Sequence, residues 1–149
     1  MSATTTADPA AQELDFLGCR TRILVDTDDT AGRFGLVDSI EVPAGHMPPV
    51  HVHHAQDEGL YVLEGAVTFF MPGRSVDCSR GDFLLAPRGV PHAYRVGDRP
   101  ARWLVISSPA GFERFVAEVA SLQEVDPATL TAAAATYDIE ILGPPGTLP

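Results

Sequence analysis

The chain has 149 residues, 45% of them hydrophobic, with two cysteines and 20 acidic against 10 basic side chains, for a formal charge of −10. That length suits one domain with a single core, no apolar run approaches the roughly 20 residues of a membrane span, and the charge repels nucleic acid and anionic lipid. Every basic residue is arginine, so no lysine is present for Schiff-base chemistry or a pyridoxal cofactor, and the absence of asparagine removes N-glycosylation sequons.

Residues 1–12 are small and polar, lack the basic and apolar regions of a secretory signal, and read as a flexible tail on a cytoplasmic protein. Cys19 and Cys78 belong to no CxxC pair and are expected as two buried thiols. Between residues 20 and 108, short runs rich in Val, Ile, Leu, Phe and Tyr recur: TRILVD, FGLVDSIEV, HVHH, EGLYVLEG, AVTFFM, DFLLAP, HAYRV and ARWLVISS. Gly, Pro, Asp and Arg clusters separate them, which predicts an all-β sandwich or barrel over residues 13–108 and not alternating βαβ units. Leu63-Glu64-Gly65-Ala66 and Met71-Pro72-Gly73-Arg74 read as hairpin turns. Leu60, Val62, Phe69, Met71, Phe83 and Leu85 fall at alternating positions suited to lining the barrel as an apolar pocket or filling it as a core.

After Ser108 the period changes. Phe112, Phe115, Val116 and Val119 repeat at helical spacing behind a Ser108-Pro109 start. Asp126-Pro127 opens a second helix, with Asp126 as cap and Pro127 in the first helical position. Residues 138–142 alternate as a last strand before a Pro/Gly tail. Residues 109–149 therefore form a helical appendage of the same domain, expected outside the barrel or across one end.

All five histidines lie between residues 46 and 92. His51 and His53 are two apart and share one face of a strand, Glu58 approaches that face across a short turn, and His92 completes a set from a distant strand. Neutral imidazole and carboxylate suit one divalent transition metal, Fe, Ni, Mn, Co or Zn, with open positions left for catalysis. Glu58 brings the only protein charge, so the centre stays cationic and favours an enolate or phenolate oxygen. His54 points to the opposite face and stays outside the set. His46 reads as a solvated loop histidine, with a place at the cavity mouth as the alternative, Glu64 as a solvated turn residue, and Arg88 as an exposed turn residue, with contact to an anionic substrate at the rim as the alternative. Tyr94 shares the face of His92 and either hydrogen-bonds a substrate or packs in the core. Motifs for other chemistries, GxGxxG, GxxxxGKT/S, HExxH and GxSxG, are missing.

Gly45, His51, His53, Glu58 and Gly65, separated by five, one, four and six residues, resemble the first cupin motif, and Gly81, Pro87, Gly89 and His92, separated by five, one and two, resemble the second. Val96 stands where the second motif usually has Asn, a position that is not a ligand. The resemblance implies a double-stranded β-helix (jelly-roll) barrel with His51, His53, Glu58 and His92 as metal ligands, and it implies a homodimer. The longer stretches PPVHVHHAQDEGLYVLEG, PRGVPHAY and SPAGFERFVAEV look like small single-domain quercetin 2,3-dioxygenase-like cupins. That likeness implies a dioxygenase that takes an aromatic, flavonol-like or polyketide-like substrate with an acidic hydroxyl, consumes dioxygen and uses Glu58 as base. The same ligands serve a polyketide cyclase, isomerase or epimerase that consumes no oxygen, and a third reading is a small-molecule-binding barrel without turnover.

Overall fold

The computed structural model describes Ala3 and residues 13–149; the tail expected over residues 1–12 lies, Ala3 apart, outside the described residues. Eleven strands and two helices follow in order: β1 (Glu13–Phe16), β2 (Cys19–Val25), β3 (Gly35–Val42), β4 (Val50–His53), β5 (Asp57–Glu64), β6 (Ala66–Met71), β7 (Arg74–Ser79), β8 (Phe83–Ala86), β9 (Ala93–Val96), β10 (Ala101–Ser108), α1 (Phe112–Ser121), α2 (Pro127–Thr136) and β11 (Ile139–Gly143). One antiparallel sheet runs β1-β2-β3-β10-β5-β8, and the other face is built from β7-β6-β9 and β11-β4. A single bridge, His51 to His92, joins those last two pieces, so five strands oppose six in a jelly roll.

Alternation decides what lies between the sheets. In β10 the buried positions are Ala101, Trp103, Val105 and Ser107, every second residue. They meet Val37, Leu60 and Val62 from the same sheet and Val67, Phe69 and Val96 from the opposite one. β8 corrects the expected lining by one residue: Leu84 and Ala86 face in, while Phe83 and Leu85 are 58% and 54% exposed. Four apolar residues in a row carry no phase, and pairing of β8 with β5 set it.

The expected hairpin at 71–74 is present, with Met71 paired to Arg74 across Pro72-Gly73. The one at 63–66 is not: β5 pairs with β10 and β8, and β6 with β7 and β9, so the chain passes from one sheet to the other there. Gly65 makes that corner at φ 79°, where a Cβ would lie 2.8 Å from the Pro100 carbonyl oxygen.

α1 starts later than Ser108-Pro109 predicts, because β10 continues through Ser108 and Gly111 occupies the cap. In its first turn the buried carboxylate of Glu113 accepts from the Gly111 N–H and from the Thr27 hydroxyl. α2 begins as predicted, with Asp126 accepting from the Thr129 N–H at 2.7 Å and Pro127 leading the helix. Phe115, Val119, Leu130, Ala133 and Ile139 form a second apolar cluster, against which Phe16 and Phe112 pack. The appendage is thus built into the barrel, since β11 pairs with β4 along its length. No helix among the described residues is long and apolar enough to cross a membrane.

Candidate metal centre

β4 carries His51 and His53 between two neighbours. Ile141 and Ile139 of β11 stand opposite them on one side, and on the other His51 exchanges two backbone bonds with His92, at 3.1 and 2.9 Å. Glu58, second residue of β5, faces in from the six-stranded sheet and pairs with Ala86 and Ser107. One donor atom from each of His51, His53, Glu58 and His92 falls within 4.8 Å of the other three. The two sheets therefore bring together all four residues that spacing singled out.

The imidazoles are oriented from behind. His51 Nδ1 lies 2.7 Å from the Pro49 carbonyl and His92 Nδ1 lies 3.1 Å from the Val90 carbonyl. A carbonyl only accepts, so both Nδ1 atoms donate and each ring turns its Nε2 toward the centre. His92 Nε2 then faces Glu58 Oε2 at 3.2 Å. Two acceptors at that distance require a proton or a cation between them. His53 Nε2 is also 3.2 Å from Oε2, yet it is not aligned for a hydrogen bond, and both its ring nitrogens are buried without a partner among the described residues. Buried nitrogen and oxygen donors that converge from both sheets, with His92 bonded to Glu58 and His53 left without a partner among the described residues, fit a divalent metal ion.

Electrostatics follow the same crowding. His51 is pushed down to about 3, by burial first and then by His92 and His53. Burial opposes ionisation of Glu58, but His53 and His92 hold it well below the usual carboxylate range. Burial likewise opposes a charge on His92, and the hydrogen bond and charge of Glu58 still lift it above the ordinary histidine value.

The cluster opens on a cavity whose walls include Leu60, Phe69, Tyr94 and Trp103. Of the residues expected to line it, Leu60 and Phe69 do, Val62 is core and Met71 packs against the core. Tyr94 lines the cavity, and its ring packs 5.0 Å from Trp103 as the packing alternative expects. Sequence reading missed the roof, Phe112 and Phe115 of α1 with Phe16 of β1; Phe112 lies 5.7 Å from the His53 ring. Their helical spacing announced an apolar face without saying what it would cover.

His54 faces out as expected and bonds Glu140 at 2.8 Å. Glu64 is exposed, and Arg88 is exposed with its charge met by Asp57 at 3.2 Å. His46 departs from the solvated loop residue predicted: it is half-buried, with Nε2 3.5 Å from Cys19 Sγ, because the loop folds back against β2 and β9. Both cysteines are buried and free.

Comparison with known proteins adds to this geometry. A family profile described as "Cupin domain" matches residues 39–107. Quercetin 2,3-dioxygenase of Bacillus subtilis (strain 168) is 35% identical over 54 residues, 36% of this chain; the chain spans only 16% of that protein's length. Among solved structures, the polyketide cyclase RemF from Streptomyces resistomycificus superposes with a TM-score of 0.57 at 32% identity, over 72% of this chain and 79% of RemF. KdgF from Halomonas sp. superposes with a TM-score of 0.66 at 19% identity, over 76% of this chain and 99% of KdgF, a likeness of fold.

Proposed function

From the premise that this chain belongs to the cupin family, we propose that it is a metal-dependent enzyme that binds an aromatic, polyketide-like or flavonol-like compound through an acidic hydroxyl and moves a proton with Glu58. The observation that carries this reading is the cluster of three imidazoles and one carboxylate on the wall of an aromatic-roofed cavity. His51, His53, Glu58 and His92 would hold the ion, which when bound supplies Lewis acidity that lowers the pKa of a phenol or enol oxygen.

The side chains account for the remainder. Glu58 is kept ionised by His53 and His92, so its carboxylate is ready to accept a proton from a substrate hydroxyl or from carbon next to a carbonyl. Returning that proton to another substrate atom completes an isomerisation or ring closure with no net oxidation. Tyr94 offers a hydroxyl to a substrate oxygen, and Phe112 and Phe115 keep water from the reacting face.

Support for the non-oxidative reaction is the broader of the two, because the likeness to a polyketide cyclase spans 79% of that protein. A second reading, dioxygenase action on a flavonol, is favoured by the 54 residues shared with quercetin 2,3-dioxygenase. Metal analysis of the untagged protein, followed by turnover of phenolic substrates with and without dioxygen, tests both. Near-stoichiometric metal with equal rates under argon supports ring closure or isomerisation, and oxygen uptake matching substrate loss supports the dioxygenase. Failure to retain any divalent metal after reconstitution overturns both.

A further inference from the structure

A second group of polar side chains meets the cavity away from the four-residue cluster. Tyr94 lines the cavity, and among the described residues its hydroxyl has no hydrogen-bond partner. It follows His92 by two positions and so lies about 7 Å further along the strand direction of β9. Beside it stands His46, with ring centroids 6.0 Å apart. The side-chain partner of His46 Nε2 is the Cys19 thiol at 3.5 Å, and a thiol is a weak donor and a weak acceptor. Both groups keep hydrogen-bonding capacity that no other described residue uses.

Their position in the cavity system gives that capacity a use. Cys19 and Tyr94 line the main cavity, whereas His46 lines an adjoining one of about 900 Å³, open solvent included. Leu17, Pro48, Pro49, Leu130 and Ile141 are walls of both. His46 therefore stands where the outer space meets the inner one. The rest of the inner lining is mainly apolar, with Phe69, Trp103, Val37 and Val42 among it; Thr21, whose hydroxyl donates to the Cys19 carbonyl, and Ser39 are the polar exceptions. A cavity with two polar ends discriminates against a ligand with one, because buried donors and acceptors left unpaired weaken binding.

Resting on the reading of the cluster as a metal site for a phenolic oxygen, we propose that Tyr94 and His46 form a second polar pole where the inner and outer cavities meet, one that holds another oxygen of the substrate. The chain then selects polyhydroxylated aromatic compounds over those whose only oxygens are the ones directed at the metal.

Trp103 is the only tryptophan and lines the cavity, so its emission reports occupancy directly. Metal-loaded protein under argon is titrated with quercetin and with 3-hydroxyflavone, which keeps the enol and keto oxygens and lacks the other hydroxyls. Quercetin should bind roughly tenfold or more tightly than 3-hydroxyflavone. Tyr94→Phe and His46→Leu should each bring that ratio close to one, and His46→Gln should restore part of it. The ratio is taken within each variant, beside its metal content, so a general loss of folding does not imitate the effect. Equal affinities in the unaltered protein, or a ratio that survives both substitutions, overturns the second pole and leaves the phenol reading standing. If neither flavonol quenches Trp103 while the metal is bound, the phenol reading fails and the second pole falls with it.

Discussion

His51 and His92 each hand an Nδ1 proton to a carbonyl two residues upstream, and in both cases the segment is a proline-containing approach to the histidine, Pro49-Val50-His51 and Val90-Pro91-His92. That local arrangement fixes which nitrogen faces the centre before any ion is bound. His53 lacks such a partner and depends on its packing against Phe112 and His92. His53→Ala should reduce metal affinity on the order of 100-fold or more while circular dichroism stays that of a folded barrel; full metal occupancy in the variant would remove His53 from the set. Glu58→Gln should keep part of the metal and lower turnover by roughly 100- to 10,000-fold, and unchanged turnover would exclude proton transfer by Glu58. The metal-free protein should also be acid-labile. His51 drops from 6.5 to about 3 on folding, so below 6.5 the unfolded chain takes up a proton that the folded chain refuses, and stability falls by about 1.4 kcal/mol per pH unit. His92 acts in the opposite sense, being raised above 6.5; its contribution is complete below that pH and does not change the slope there. Urea denaturation of chelated protein should lose about 2 kcal/mol between neutral pH and about pH 5, and a flat profile would mean that His51 is not buried against its neighbours.

At the scale of elements, the turn at Gly65 and the start of α1 were both misjudged from sequence for one reason. Each joins parts that are distant in the chain: Gly65 lies against Pro100 and Ala101, and Glu113 reaches the segment around Thr27. A tight Glu-Gly sequence looks the same whether the strands it connects pair with each other or with others. Gly35 is the counterpart of Glu113, since a Cβ there would run into that carboxylate. Gly35→Ala should therefore destabilise the protein by roughly 2–3 kcal/mol, through overpacking and displacement of the Glu113 hydrogen bonds. Unchanged urea stability would show that Glu113 does not tie α1 to the segment around Thr27. The hairpin at Pro72-Gly73 and the Asp126-Pro127 cap were legible because their partners lie within a few residues.

For the whole molecule, the closing strand β11 turns an appendage into part of the site. Ile139 is 3% exposed, stands opposite His53, and belongs to the apolar cluster shared with both helices. Ile139→Asp would place an unpaired carboxylate in that cluster, at an expected cost of about 3–5 kcal/mol, and should loosen β4 enough to weaken metal binding. An unchanged melting temperature together with unchanged metal affinity would mean that β4 is held in place without β11.

What the sequence determined by itself was which three histidines and one glutamate could converge and that the domain is an all-β sandwich or barrel; its resemblance to the two cupin motifs implied the jelly roll. Two-residue alternation placed His51 and His53 on one face, and the separated spacings around Glu58 and His92 are local patterns that survive without coordinates. Only the tertiary structure decided the surroundings of those four residues: which face of β8 is inside, that α1 roofs the cavity with Phe112 and Phe115, that β11 flanks the strand of His51 and His53, and that His46 lies beside Tyr94 and Cys19. Those contacts join residues tens of positions apart, and they form because each apolar face must be buried against whichever neighbour the closed barrel brings to it.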